Sequence, residues 1–393
     1  MALPLEGIRV LDLSSMLAGP GTGMYLADHG ADVIKIEPLE GEQNRHGAAR
    51  NRSFYVLNRG KRSIAVNLAQ PEGQEILYRL VDGADVLIHN LRPGGAAERL
   101  GIDYPTLSAR NPRLVYANIS AYGNEGRYAP KPGYDRILQG LSGLMAVNRY
   151  PNGMPVQAPT WIADCSMPML LGFGIMLALW QREKTGRGQQ VETSLLMASV
   201  AMQSTTMVRG KNEPSYGAEM FATYHTYLCS DAQWLNICIL NDKEWVRLCT
   251  VLELPHLAHD LLYDTVAKRA ERNAELHPVI EAVFASRSRD EWLDALLDAD
   301  VPAGPIITRD EAFDEPQITI NHMISDVDQP GIGTLQMMSV PLRLSETSGQ
   351  IKGPAPALGQ HTHEILAEAG YSRDESERLV ALGIAKAPEA ALA

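Results

Sequence analysis

Short apolar runs alternate with amphipathic stretches along the first 200 residues. IRVLDLS at 8–14 predicts a strand, GPGTGMYLADHG at 19–30 a turn leading into a helix, and DVIKIEP at 32–38 a second strand stopped by proline. EGQEILYRLVDGA at 72–84 has helical periodicity and a closing glycine, Gly83. A strand at 85–90 (DVLIHN), a short helix at 104–111 and a strand at 114–123 (LVYANISAYG) follow. Strands and helices alternating at this spacing predict an α/β fold with a parallel sheet covered by helices on both faces. Ligands of such sheets sit beyond the carboxyl ends of the strands, where residues 14–23, 37–45, 90–99 and 120–135 would converge.

From Met167 to Trp180 there are fourteen residues without a charge, headed by a single carboxylate, Asp164. The run predicts a long buried helix, and 181–202 adds a glycine-marked turn, a strand and a further helix. The texture changes near residue 210. RGKNEPSYGAEM at 209–220 is a polar linker, 225–240 predicts a hairpin turning near Ser230 and Asp231, and amphipathic helices occupy 241–253 and 288–300. A second, smaller α+β domain is therefore expected. The boundaries are 1–205 for the N-terminal part of the large domain, 206–220 for a linker, 221–325 for the small domain, and 326–393 for a C-terminal return. That tail holds a proline-rich segment and a helix within 354–372, placed to lead back onto the first domain.

A length of 393 residues favours two domains, and 45% hydrophobic with 21% charged residues is an ordinary globular composition. The N-terminus lacks a basic leader pattern and the apolar run is short for a bilayer, so a cytoplasmic protein without membrane contact is expected. A net charge of −12 argues against nucleic acid as a partner. Cys165, Cys229, Cys238 and Cys249 form no C-x-x-C pair, which predicts reduced, mostly buried thiols. Locally the charge reverses: between Gln43 and Pro71 there is no acid, while Arg45, Arg50, Arg52, Arg59, Lys61 and Arg62 all fall there. Such an island either pairs with acids elsewhere in the chain or grips the phosphates of a nucleotide-like ligand.

Gly19, Gly21 and Gly23 after the first strand invite a dinucleotide reading, but their two-and-two spacing with Pro20 between departs from G-x-G-x-x-G, and a tight turn is the plainer alternative. His256 with His259, and His361 with His363, lack the companions of a metal shell, so no metal is expected. There is no G-x-S-x-G elbow for serine hydrolysis. Asp164 has two compatible readings. It can cap the apolar helix by accepting a backbone N–H, or serve as a nucleophile towards an activated acyl group, sheltered from water beside a helix start.

Six segments in order then carry a resemblance over almost the whole chain: IRVLDLSSMLAGPGTGMYLADHGADVIKIEP, NRGKRSIAVNLAQPEG, ADVLIHNLRPGGAAERLGIDY, KPGYDRILQGLSGLM, REKTGRGQQVETSLL and LGQHTHEILAEAGYS. With them the chain resembles the class III coenzyme A transferases, the group of formyl-CoA transferase, carnitine CoA-transferase and α-methylacyl-CoA racemase. The resemblance implies a Rossmann-like large domain built from both chain ends, a small domain between them, and a homodimer of interlocked subunits. It implies acyl-CoA and a carboxylic acid as substrates, no tightly bound cofactor, and Asp164 as the catalytic nucleophile. For coenzyme A it points to Leu17 and Ala18, Val66 and Asn67, Asn90, Leu91 and Arg92, Arg99, and Tyr134 with Asp135 along the pantetheine path. Arg92 and Arg99 are the first choices for the phosphates, with Arg45 or Arg62 as alternatives. Two departures bear on substrate. The glycine run of formyl-CoA transferase is reduced here to a single glycine within 215–227, and Tyr134 stands where the racemase branch has a histidine. Racemase chemistry, or acyl-CoA binding without catalysis, are the alternatives to CoA transfer.

Overall fold

The protein is described from a computed structural model covering residues 2–46, 52–213 and 221–388. Arg50 of the basic stretch and residues 214–220 of the expected linker lie outside them. The chain divides into two compact units, Met1–Ser215 with His322–Ala393, and Tyr216–Asn321.

The first unit is built on β1 (Arg9–Asp12), β2 (Asp32–Glu37), β3 (Arg62–Val66), β4 (Val86–His89), β5 (Val115–Ser120) and β6 (Gln190–Ser194). They form one sheet in the order β3-β2-β1-β4-β5-β6, every neighbouring pair parallel. The strand order reverses between β1 and β4, which creates a crevice at their carboxyl ends. β1, β2, β4 and β5 are buried on successive residues because both faces of the sheet are covered there. In β1, Val10 enters one core with Val33, Val86, Ala27 and Leu171, whereas the next residue, Leu11, enters the other with Ile34, Leu87, Ile76 and Leu80. The first face is covered by the helices Ala18–Asp28 and Ile162–Thr185, the second by Pro71–Asp82 and Tyr104–Arg110.

The tail completes the second face: Ile365 and Leu366 of the helix Thr362–Glu368 and Leu379 of Arg373–Ala381 are buried there. Arg62 fastens this return, reaching Asp32 at 2.6 Å, Glu364 at 2.8 Å and Glu368 at 2.7 Å.

The second unit holds an antiparallel sheet of β7 (Tyr224–Leu228), β8 (Trp234–Cys238) and β9 (Ala303–Pro305). Trp245, Leu276, Phe284, Trp292 and Leu296 of three helices pack on it around Tyr227 and Leu235. In the first unit, β10 (Ile324–Gln329) pairs antiparallel with β11 (Gly333–Met338), and β12 (Ala385–Lys386) adds antiparallel to the edge of the main sheet beside β3. Cys229 and Cys249 are buried, Cys238 is half-buried, and Cys165 is exposed, contrary to the expectation for most thiols only at that last position.

Candidate active site

The sequence dictates a sharp reversal after β1. Asp12 is wholly buried and meets two lysines, Lys61 Nζ, from just before β3, at 2.8 Å and Lys35 Nζ, from β2, at 3.9 Å. Burial pulls the Asp12 carboxyl upward, but Lys35 and Lys61 outweigh it and hold the group near 2. Burial likewise brings Lys61 down to about 8 against the attraction of Asp12. The Asp12 carboxylate also accepts from the Ser14 N–H at 3.0 Å and from the Ser14 hydroxyl. Two residues on, Met16 has φ +71°, a left-handed conformation that costs a side chain-bearing residue about 1–2 kcal/mol. Beyond it the helix Ala18–Asp28 begins, so the amides of Leu17 and Ala18 belong to its unsatisfied first turn.

Gly19, Gly21 and Gly23 lie inside this helix rather than in a turn, which corrects the sequence expectation. Each permits a close approach. A Cβ would fall 2.2 Å from Ser14 at Gly19, 2.7 Å from Pro168 at Gly21, and 3.0 Å from Asp12 and Lys61 at Gly23. The motif seats the helix between β1 and the Ile162–Thr185 helix.

Asp164 stands in the first turn of that second helix. Its side chain caps nothing, contrary to the capping alternative: the N-cap residue is Trp161 and no side-chain cap bond comes from it. The duty falls to Asp135, 29 residues earlier, whose Oδ2 accepts from Ala163 N at 2.7 Å and Asp164 N at 3.2 Å. Gln139 donates to its other oxygen. The Asp164 side chain thereby has no hydrogen-bond partner among the described residues, is half-buried, and is faced by another carboxylate. Desolvation first and the Asp135 charge second push its carboxyl up to about 7.

Asp164 opens into a cleft of about 250 Å3 at the carboxyl ends of β1, β4, β5 and β6. Its walls include Ser15 to Ala18, Gln43, Asn90, Arg92, Ser120, Lys131, Tyr134 and Leu195. Leu17, Ala18, Asn90, Arg92, Tyr134 and Asp164 are thus brought together. Val66 is buried in the core at the end of β3, and the Asn67 side chain accepts locally from Ala69 N at 3.1 Å. Leu91 packs against the second core, Arg99 is exposed beside Gly95, and the Asp135 side chain lies beneath the helix start; none of these five lines the cleft. Arg45 and Arg62, the alternatives for the phosphates, are both ion-paired within the chain and do not line the cleft. Arg45 makes a two-point contact with Glu37 at 2.6 and 2.7 Å over the Phe54 ring, and Arg62 is engaged by three carboxylates. Arg59 is buried against Asp28 at 2.6 Å, so most of the basic island is neutralised inside the protein. Reasoning from single residues missed Gln43, Ser120 and Lys131. The strand ends supplied the signal, since all three lie in segments expected to converge there.

The family profile described as CoA-transferase family III matches residues 5–362. A succinate–glutarate CoA-transferase of Agrobacterium fabrum is 33% identical, covering 93% of this chain and 95% of that protein. A succinyl-CoA–D-citramalate CoA-transferase of Chloroflexus aurantiacus is 32% identical, covering 96% and 97%. Among solved structures, a CAIB/BAIF family protein from Brucella suis superposes with a TM-score of 0.81 at 32% identity, covering 94% of this chain and all of that one. The chain belongs to CoA-transferase family III, and its relatives mark it as a CoA-transferase.

Proposed function

We propose that the protein moves coenzyme A from an acyl-CoA to a carboxylic acid through a covalent intermediate on Asp164. The observation that carries this reading is a carboxylate set on the wall of the cleft, relieved of capping by Asp135 and desolvated, with its pKa raised to about 7. A carboxylate stripped of water and of a cationic partner is a stronger nucleophile than one held in a salt bridge.

In the first step an Asp164 oxygen adds to the thioester carbonyl and the carbon–sulfur bond breaks, giving a mixed anhydride and CoA thiolate. The thiolate attacks the aspartyl carbonyl, releasing the donor acid as its carboxylate and leaving aspartyl-CoA thioester. The acceptor carboxylate attacks that thioester and expels the thiolate, which takes the acceptor's acyl carbon from the second anhydride and restores Asp164. One negative charge passes through every state, so no proton or electron is exchanged with solvent. The amides of Leu17 and Ala18 at the start of the Ala18–Asp28 helix are the donors for the oxyanions, each worth about 3 kcal/mol in acyl-transfer sites, because the first amides of Ile162–Thr185 are already taken by Asp135, Thr160 and Trp161. Leu17, Ala18, Asn90 and Tyr134 would line the path of the CoA arm, and Arg92 with Lys131 supplies positive charge in the cleft. The outlying Val66, Asn67, Leu91, Arg99 and Asp135 belong to the same proposal through the family resemblance.

The names of the relatives support a succinyl-CoA donor and a four- or five-carbon dicarboxylate acceptor. The proposal includes a homodimer of interlocked chains, with 1–205 and 326–393 as the large domain, 206–220 as linker and 221–325 as the small domain. Tyr134 in place of a histidine weighs against racemase chemistry, since an imidazole exchanges protons near neutral pH far more readily than a phenol.

The test is trapping. Succinyl-CoA with hydroxylamine should inactivate the enzyme and leave a hydroxamate on the peptide holding Asp164, and Asp164→Asn should lower exchange by about 1,000-fold or more without loss of fold. Full exchange by Asp164→Asn would end the covalent reading.

A further inference from the structure

The strained peptide at Met16 is held by side chains from three directions. Glu42 Oε2 accepts from Met16 N at 2.8 Å, and Asn44 Nδ2 donates to Met16 O at 3.3 Å. Asn90 clamps the preceding residue, accepting from Ser15 N at 3.1 Å and donating to Ser15 O at 2.8 Å, while Lys35 Nζ donates to Ser14 O. Non-glycine residues keep a left-handed φ only where their surroundings over-determine it. The clamped residues Ser15 and Met16 form one wall of the cleft together with Leu17 and Ala18, the next two residues.

Glu42 is the member of this clamp that stability does not explain. It is buried, its other oxygen has no hydrogen-bond partner among the described residues, and the nearest cation, Lys35, lies 3.8 Å from it. Burial raises its pKa against the pull of Lys35. A buried carboxylate with an unfilled oxygen opposes folding, whereas the oxygen facing Met16 fixes the direction of the amides that follow.

We propose that Glu42 is a positioning residue for the CoA-binding turn, acting through the backbone of Met16. The proposal rests on reading the cleft as the CoA site. Glu42 touches no reacting atom; it sets the orientation of the Leu17 and Ala18 amides before CoA arrives, and its loss is felt as weaker CoA binding while the acceptor acid binds as before.

The experiment measures the Kd of free CoA by calorimetry and the KM of the acceptor acid. Glu42→Ala should raise the CoA Kd by about tenfold or more and leave the acceptor KM within about twofold. Glu42→Gln, which keeps an oxygen for Met16 N, should stay within about threefold of wild type. Adding Met16→Gly to Glu42→Ala should restore most of the affinity, since glycine adopts the left-handed conformation without help. A merely structural carboxylate would not be rescued in this way. The proposal is overturned if Glu42→Ala binds CoA within about twofold of wild type, or if Glu42→Gln loses as much as the alanine variant. Should the alanine variant fail to fold, the glutamine variant decides alone by the same limits. Failure of the wild type to bind CoA would overturn the reading of the cleft itself.

Discussion

Asp164 shows how much one residue can reveal and how much its neighbours conceal. A lone acid before fourteen uncharged residues was visible in the sequence, and so was its place at a helix start. Which acid caps that helix was not visible, because capping rules look two or three residues along the chain and the true cap, Asp135, comes from another helix start 29 residues away. The consequence can be measured without any substrate. With its pKa raised to about 7 by desolvation and by Asp135, the folded protein binds a proton at Asp164 that the unfolded chain, titrating near 4, has already released. Between those values the native state holds more protons than the unfolded state, so this group's contribution to stability falls as pH rises through the window. Asp164→Asn removes the penalty. Three full pKa units would carry about 4 kcal/mol, and the partial exposure of Asp164 reduces the expectation to about 2 kcal/mol. Relative to wild type, the variant should gain that much in urea unfolding between pH 4 and pH 8; a constant difference across the range would refute the desolvated carboxylate.

Elements were legible where both faces of the sheet are covered. β1, β2, β4 and β5 announced themselves as short runs of Val, Ile and Leu because helices bury them on each side. β3 escaped notice because it begins with Arg62 and follows Lys61, whose charges are absorbed by carboxylates distant in sequence. The same long-range pairing realises one of the two readings of the basic stretch, pairing with acids elsewhere in the chain, since Asp28 and Asp12 are 31 and 49 residues from Arg59 and Lys61. The glycine trio was misplaced for a different reason. Glycine and proline are turn signals locally, yet here they begin a helix whose faces need bare backbone on both sides. Gly21 is the clearest case, because its missing side chain accommodates Pro168 of the neighbouring helix. Gly21→Ala should gain about 1 kcal/mol of helix propensity but lose about 2–3 kcal/mol by overpacking against a rigid ring. A net fall of about 1–2 kcal/mol in chemical denaturation is expected. An unchanged or raised stability would mean that the two helices separate easily.

At the scale of the molecule the long helix carries two apolar stripes, of which one is buried within the chain and the other is exposed. Ala163, Met167, Leu171, Ile175 and Ala178 form one stripe, wholly buried in the core. Met169, Phe173, Leu177 and Trp180 form another on the same helix, and Phe173 and Trp180 each expose 65% of their surface. The helix is long and apolar enough to cross a bilayer by length and composition, but its first stripe is spent on the sheet, and the second is an exposed apolar face of the kind that marks an interaction surface. Met197, Val200 and Met202 are exposed on the next helix and just beyond it, and Val147, Tyr150 and Met154 on a nearby segment. Surfaces of this kind are what the proposed interlocked homodimer would bury. Sedimentation should therefore give a dimer that persists to low nanomolar concentration, since threaded chains separate only by partial unfolding. Phe173→Asp with Trp180→Asp would place two charges in a desolvated contact and should yield aggregated or monomeric, inactive protein. Wild-type protein that sediments as a stable monomer would remove the dimer from the proposal. The apolar stripe would then need a different cover, whereas the chemistry assigned to Asp164, argued within one chain, would stand.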